Sequence, residues 1–163
     1  MARLKYKIDT TETKEVETRL GKVKLNLSSA IFFPHGIIGF DNLHYYCLCS
    51  IPDNKIADGV LLLQSAEESK LGFIVLPLAE RFYKEKNNLI KYEDIMLAAN
   101  SYDIKEQNLS VLVIASIKIE NSKPKISINL KAPILVDGHE KIAYQHVFVK
   151  HDYPLAFELS PDV

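Results

Sequence analysis

The chain has 163 residues, the size of one ordinary domain, and its 47% hydrophobic and 25% charged residues exclude a disordered polymer. Twenty basic and 21 acidic residues leave a formal net charge of −1, which argues against non-specific affinity for nucleic acid or anionic lipid. No apolar run approaches the ~20 residues of a membrane helix, and residues 1–24 are dense in Lys, Glu and Thr. The expectation is a cytoplasmic, single-domain protein over 1–163 whose two Cys stay reduced.

Strand patterns dominate in chain order. Leu4, Tyr6 and Ile8 alternate with Arg3, Lys5 and Lys7, and Val23, Leu25 and Leu27 alternate with Lys22, Lys24 and Asn26. A period of two gives each strand one core face and one wet face. The polar residues 9–18 between them read as an exposed connection or a frayed end. Runs rich in Val, Ile, Tyr and Phe follow at 30–33, 45–51, 60–66, 72–76, 109–120, 125–129, 133–136 and 143–149. Phe33, Phe40 and Phe73 are expected to be mostly buried. The amphipathic stretch 92–100, with Glu93 and Asp94 in its first turn, predicts a helix. A single helical turn at 103–107 would start at Asp103 as its N-cap. The run 110–120 begins continuous and ends alternating, so it should be covered on both faces at its start and on one at its end. Residues 121–124 then turn the chain into a hairpin. Many short strands with few helices predict a mostly β fold: an antiparallel, barrel-like closed sheet with one or two short helices.

Several phrases are too particular for a generic β domain: Thr18-Arg-Leu-Gly-Lys-Val23, Phe33-Pro-His-Gly-Ile-Ile-Gly-Phe40, Leu62-Leu-Gln-Ser65, Phe73-Ile-Val-Leu-Pro77, Asn129-Leu-Lys-Ala-Pro-Ile-Leu-Val136, Gln145 and Tyr153-Pro154. In this order and spacing, from about residue 18 to 154, the chain resembles the bacterial flagellar assembly factor family, FliW. The stretches 1–17 and 155–163 lie outside the resemblance. It implies a non-enzymatic β-barrel-like protein that works by partner exchange. Such a protein binds flagellin and the carbon storage regulator CsrA, and relieves CsrA repression of flagellin translation. No cofactor, metal, membrane or direct nucleic-acid partner is implied, and the expected state is a monomer.

The residues themselves allow a physical reading of each phrase. Phe33, Pro34, Gly36, Ile37, Gly39 and Phe40 form a structural motif, since Pro fixes φ and Gly permits φ > 0, which together make a tight corner over the core. Asn129, Leu130, Lys131, Ala132 and Pro133 join two strand-like runs, and Pro133 withholds a backbone donor, so a bulge is expected there. Beside it, outward-facing Asn129 and Lys131 would offer a docking surface. Gln64 opens a polar tip that reads as a solvated hairpin turn, and in the alternative reading its Glu67 and Glu68 would meet a basic partner. Cys47 and Cys49 share one strand face as small hydrophobes, and neither they nor His139, His146 and His151 have metal-ligand spacing. Two other classes stay open: a Cys-dependent enzyme using Cys47 or Cys49 with a His, and a barrel holding a small apolar ligand. With a charge of only −1, partner capture by shape and backbone edge around 129–133 is expected over bulk mimicry of phosphate charge.

Overall fold

The computed structural model describes residues 13–52, 59–79 and 89–159. The alternating pattern at 4–8 lies outside the described residues. The chain opens with an antiparallel hairpin, β1 (Thr13–Thr18) and β2 (Gly21–Asn26). The expected connection at 9–18 is therefore corrected, because 13–18 is a strand. Val16 is its one buried side chain, opposite Val23, and a single apolar residue carries no visible period.

Next come β3 (Ile31–Phe32), β4 (Tyr45–Ser50), β5 (Leu61–Ser65) and β6 (Gly72–Pro77). They are followed by α1 (Tyr92–Ser101), β7 (Leu109–Glu120), β8 (Lys123–Ile128), β9 (Ile134–Asp137), β10 (Ile142–Gln145) and β11 (Phe157–Glu158). β7 pairs with β6 at Leu112–Ile114 and with β9 at Leu109–Leu112. That double pairing closes β7, β6, β5, β4, β3, β10 and β9 into a ring. Every link in the ring is antiparallel except β3 with β10, which meet in parallel at Phe32 and Ile142. β8 continues along the far half of β7, and β11 adds to β8.

The core divides by face. One apolar cluster draws a residue from each ring strand: Ile31, Tyr46, Leu63, Val75, Leu112, Ile134 and Ala143. These positions alternate with the residues of two further clusters, which places this one inside the barrel. On one outer face, Val16, Val23 and Leu25 of the hairpin cover Tyr45, Cys47 and Leu62. On the other, α1 lays Ile95, Ala98 and Ala99, spaced i, i+3, i+4, against Val111, Val113 and Leu135.

The end of α1 overturns the expected turn at 103–107. Asp103 has φ +58° and gives its N–H to Asn100 O, while Ile104 N–H reaches back to Ala99 O. Those two bonds form a Schellman motif with Asp103 as the left-handed residue, so Asp103 ends a helix and caps none. The short 3-10 turn that follows spans Glu106–Asn108, preceded by Lys105. Strand β10 also stops early, at Gln145 and not at 149, because the chain then leaves β9 to follow the bulge described next.

Candidate functional site

The phrase from Phe33 to Phe40 folds into two consecutive turns. Gly36 N–H bonds Phe33 O at 3.0 Å and Phe40 N–H bonds Ile37 O at 2.7 Å. Gly36 sits at φ +67°, and a Cβ there would lie 2.5 Å from Phe40 O, so both its conformation and its space require glycine. Phe33 and Ile37 point into the barrel interior, at 0% and 1% exposure. Phe40 departs from expectation: it is 36% exposed and rests edge-on against half-buried Phe73, with ring centroids 5.6 Å apart. A residue beyond the second glycine caps the barrel rim and does not enter the core. Ile38, at the apex, is 60% exposed.

The expected bulge is present. Leu112 faces Ile134 and Ala115 faces Ile128, so two residues of β7 lie opposite five, residues 129–133. Asn129 holds the bulge: its Oδ1 accepts from Lys131 N–H at 3.0 Å and Ala132 N–H at 3.1 Å. Leu130 and Lys131 also give their N–H groups to Pro154 O. Phe148 N–H bonds Lys131 O and His146 N–H bonds Pro133 O. Leu130, Ala132 and Pro133 are buried, and Lys131 is half-buried with its Nζ 3.5 Å from Phe148 O. The reading of Asn129 as outward-facing is thus corrected, since its oxygen is occupied within the loop. The backbone here is paired internally, which leaves side chains and shape for any partner.

The polar tip is likewise more ordered than its composition implies. Gln64 is 1% exposed, and its Nε2 donates to Ser65 O, Glu68 O and Ser69 O. Glu67 is exposed as a residue, yet its Oε1 accepts from His44 N–H at 2.6 Å and Tyr45 N–H at 2.8 Å. Glu68 bonds Lys70 N–H and stays exposed.

One side chain ties two phrases together. Gln145 Oε1 accepts from Ile38 N–H at 2.9 Å, while its Nε2 donates to Ala132 O at 3.2 Å. The Phe-Pro turn and the 129–133 bulge therefore form one continuous surface. The tip joins this surface through Glu67 and His44, whose Nδ1 lies 2.8 Å from Phe33 O.

The sequence reading missed an aromatic row beside the bulge. Tyr144 stacks on Tyr102 at 4.4 Å, Tyr102 meets His146 edge-on, and His146 and His151 both meet Phe148 edge-on. Burial and then His151 push the His146 pKa down. Tyr153 donates to Asp94 in the first turn of α1 and accepts from Lys91 N–H. The alternation Tyr144, His146, Phe148 was the available signal; it begins in β10 and runs on past the strand's end at Gln145.

The thiols sit elsewhere, on β4. Cys47 is pushed up to about 11 by burial and by Cys49, and burial also raises Cys49. Among the described residues, no three His, Cys, Asp or Glu side chains gather to hold a metal ion. Nor is any described helix long and apolar enough to cross a membrane.

Comparison with known proteins gives concordant results. The family model of the FliW protein matches residues 14–159. A flagellar assembly factor FliW from Clostridium botulinum (strain Alaska E43 / Type E3) is 32% identical over 135 residues, covering 83% of this chain and 89% of that one. One from Nitratidesulfovibrio vulgaris (strain DP4) is 27% identical over 156 residues, covering 91% and 81%. A crystal structure of the flagellar assembly factor FliW superposes with a TM-score of 0.67 at 22% identity, covering 92% of this chain and 98% of that chain.

Proposed function

The chain belongs to the FliW family of flagellar assembly factors, and we propose that it acts there without catalysis, as a cytoplasmic monomer that binds flagellin and CsrA in turn. Binding to CsrA would lift repression of flagellin translation, and free flagellin would withdraw the factor and restore it.

The observation that carries this reading is the Gln145 bridge. It locks the Phe-Pro turn to the 129–133 bulge and presents Ile38, Phe40 and Lys131 on a preorganised surface. A surface held in its bound shape loses little entropy on association. Burial works against the Cys-enzyme alternative, because a nucleophilic thiol needs a lowered pKa and both are raised. The ligand-barrel alternative has to displace Tyr46, Leu63, Val75 and Ile134 from the ring interior. Glu68 remains a candidate contact at the tip, while Gln64 and Glu67 would act by shaping it.

The test presents the purified chain to flagellin and to CsrA from the same cell. Capture of each, with competition between them, is expected. Lys131→Glu should weaken capture with the fold intact, and raising salt from about 50 to about 300 mM should weaken it only modestly. Capture of neither partner would overturn the proposal. Capture that collapses with salt would move the contact to Glu68 and the acidic tip.

A further inference from the structure

The Tyr153-Pro154 phrase stands between the 129–133 bulge and α1. Pro154 O accepts two N–H groups of the bulge, from Leu130 at 3.0 Å and from Lys131 at 3.2 Å. Lys131 shares its N–H with Asn129 Oδ1, whereas Leu130 directs its own to Pro154 O. One residue earlier, the Tyr153 hydroxyl donates to Asp94 Oδ2 and accepts Lys91 N–H at 3.0 Å. Asp94 Oδ1 lies 3.3 Å from His151 Nε2, so both oxygens of one carboxylate face the 151–153 segment.

The chemistry of the chain makes this connection stiff. Pro154 fixes its own φ and confines the residue before it to extended backbone, so few free torsions separate the Tyr153 ring from the Pro154 carbonyl. The Asp94 side chain is 12% exposed, which leaves little water to compete for it. Lys91, the N-cap residue of α1, has no side-chain cap, and the Tyr153 hydroxyl takes up its N–H instead. Buried Phe148 anchors the middle of the segment, in ring contact with His146, His151 and Tyr153. Residues 146–154 thus meet the bulge through backbone groups of His146, Phe148 and Pro154, and meet α1 through the side chains of His151 and Tyr153.

We propose that Asp94 and Tyr153 are positioning residues for the docking surface: acting through Pro154, they set where Leu130 and Lys131 stand. Asn129 ties residues 131 and 132 from within the bulge. The Tyr153-Pro154 connection ties 130 and 131 from the α1 side. Releasing Tyr153 from Asp94 removes one of the two holds on Lys131 and leaves the other, so the surface changes shape while the barrel stays folded. This inference rests on the reading of 129–133 as the docking surface, and its experiment separates the two.

The test compares the full chain, isotopically labelled, with three variants and a control. Tyr153→Phe keeps the ring and deletes the hydroxyl, Asp94→Ala deletes both contacts, and Asp94→Asn keeps an oxygen for the hydroxyl. The control, Ile95→Val, weakens α1 packing without touching the connection. In the first two variants the Leu130 amide proton should move upfield, as a weakened hydrogen bond requires. Lys131 should move less, and Ala132, held by Asn129, should stay in place. Capture of flagellin and CsrA should fall roughly three- to tenfold in Asp94→Ala and less in the other two variants. Ile95→Val should change neither readout. An unmoved Leu130 amide in Tyr153→Phe and Asp94→Ala would overturn the proposal. So would full capture by Asp94→Ala, or the same changes in Ile95→Val. Failure of the parent chain to capture either partner would sink the docking reading alone, and the Leu130 amide would still decide whether the connection holds the bulge.

Discussion

At the scale of single residues, the two glycines of the Phe-Pro phrase make different demands. Gly36 and Gly39 both have positive φ, +67° and +90°, but only Gly36 is crowded: a Cβ there would strike Phe40 O and Asp41 Cα, whereas Gly39 has nothing within 4 Å. Gly36→Ala should therefore cost roughly 2–3 kcal/mol and Gly39→Ala about 1 kcal/mol, read as shifts in denaturation midpoint. Equal losses would mean that backbone strain alone governs both positions. Tyr46 offers the opposite case. Its ring is fully buried, and its hydroxyl is a buried polar atom with no hydrogen-bond partner among the described residues. Tyr46→Phe removes that unpaired group, so the variant should match the parent or exceed its stability by up to about 1 kcal/mol. A loss of 2 kcal/mol or more on the same ~1 kcal/mol scale would reveal a hydrogen bond to the hydroxyl.

At the scale of elements, two turns are built on residues that pay for left-handed backbone. Asn121 and Ser122 have φ +51° and +63°, and Glu120 pairs with Lys123 across them, a two-residue hairpin of the type I′ kind. Asp103 plays the corresponding part behind α1. Ser122→Gly and Asp103→Gly should each stabilise the protein by about 0.5–1 kcal/mol, provided the relief of strain exceeds the added freedom of the unfolded chain. Unchanged or lower midpoints for both would sink this account. The hairpin was legible, since Asn-Ser between two alternating runs is a turn signal, and so was α1. The helix terminus was not. Asp is favoured both before helices and, in the left-handed state, after them, and only the Ile104 to Ala99 bond separates the two. Likewise Pro133 announced a bulge, but no pattern told that Asn129 turns its oxygen inward to hold it.

At the scale of the whole molecule, ring closure was inferable from many short strands, yet its composition was not. The sequence has no local mark for a long strand that serves two neighbours on one edge, as β7 does with β9 and β8, because pairing is chosen by the partners. Burial of acids throughout the barrel also sets an alkaline limit. Tyr46 and Tyr153 are pushed up to about 12, chiefly by burial, and Cys47 to about 11. Unfolded, these groups release protons near 10.0 and 9.0, so between those values and the folded ones the native state holds more protons. Their contribution is complete below pH 9 and is lost as pH rises toward 12. Denaturant midpoints should fall across that window, and Tyr46→Phe should flatten the fall; an unchanged slope in that variant would remove Tyr46 from the cause. The parallel contact of Phe32 with Ile142 has a consequence in time. The third strand must wait for a partner more than a hundred residues downstream, so on a ribosome the early strands emerge long before the ring can shut. Loop closure of that span must precede the contacts that reward it, which makes the final seam a slow, late event. Until β10 arrives, the edge of β3 is exposed to whatever other strand is nearby, and the newborn chain depends on the speed of its own completion.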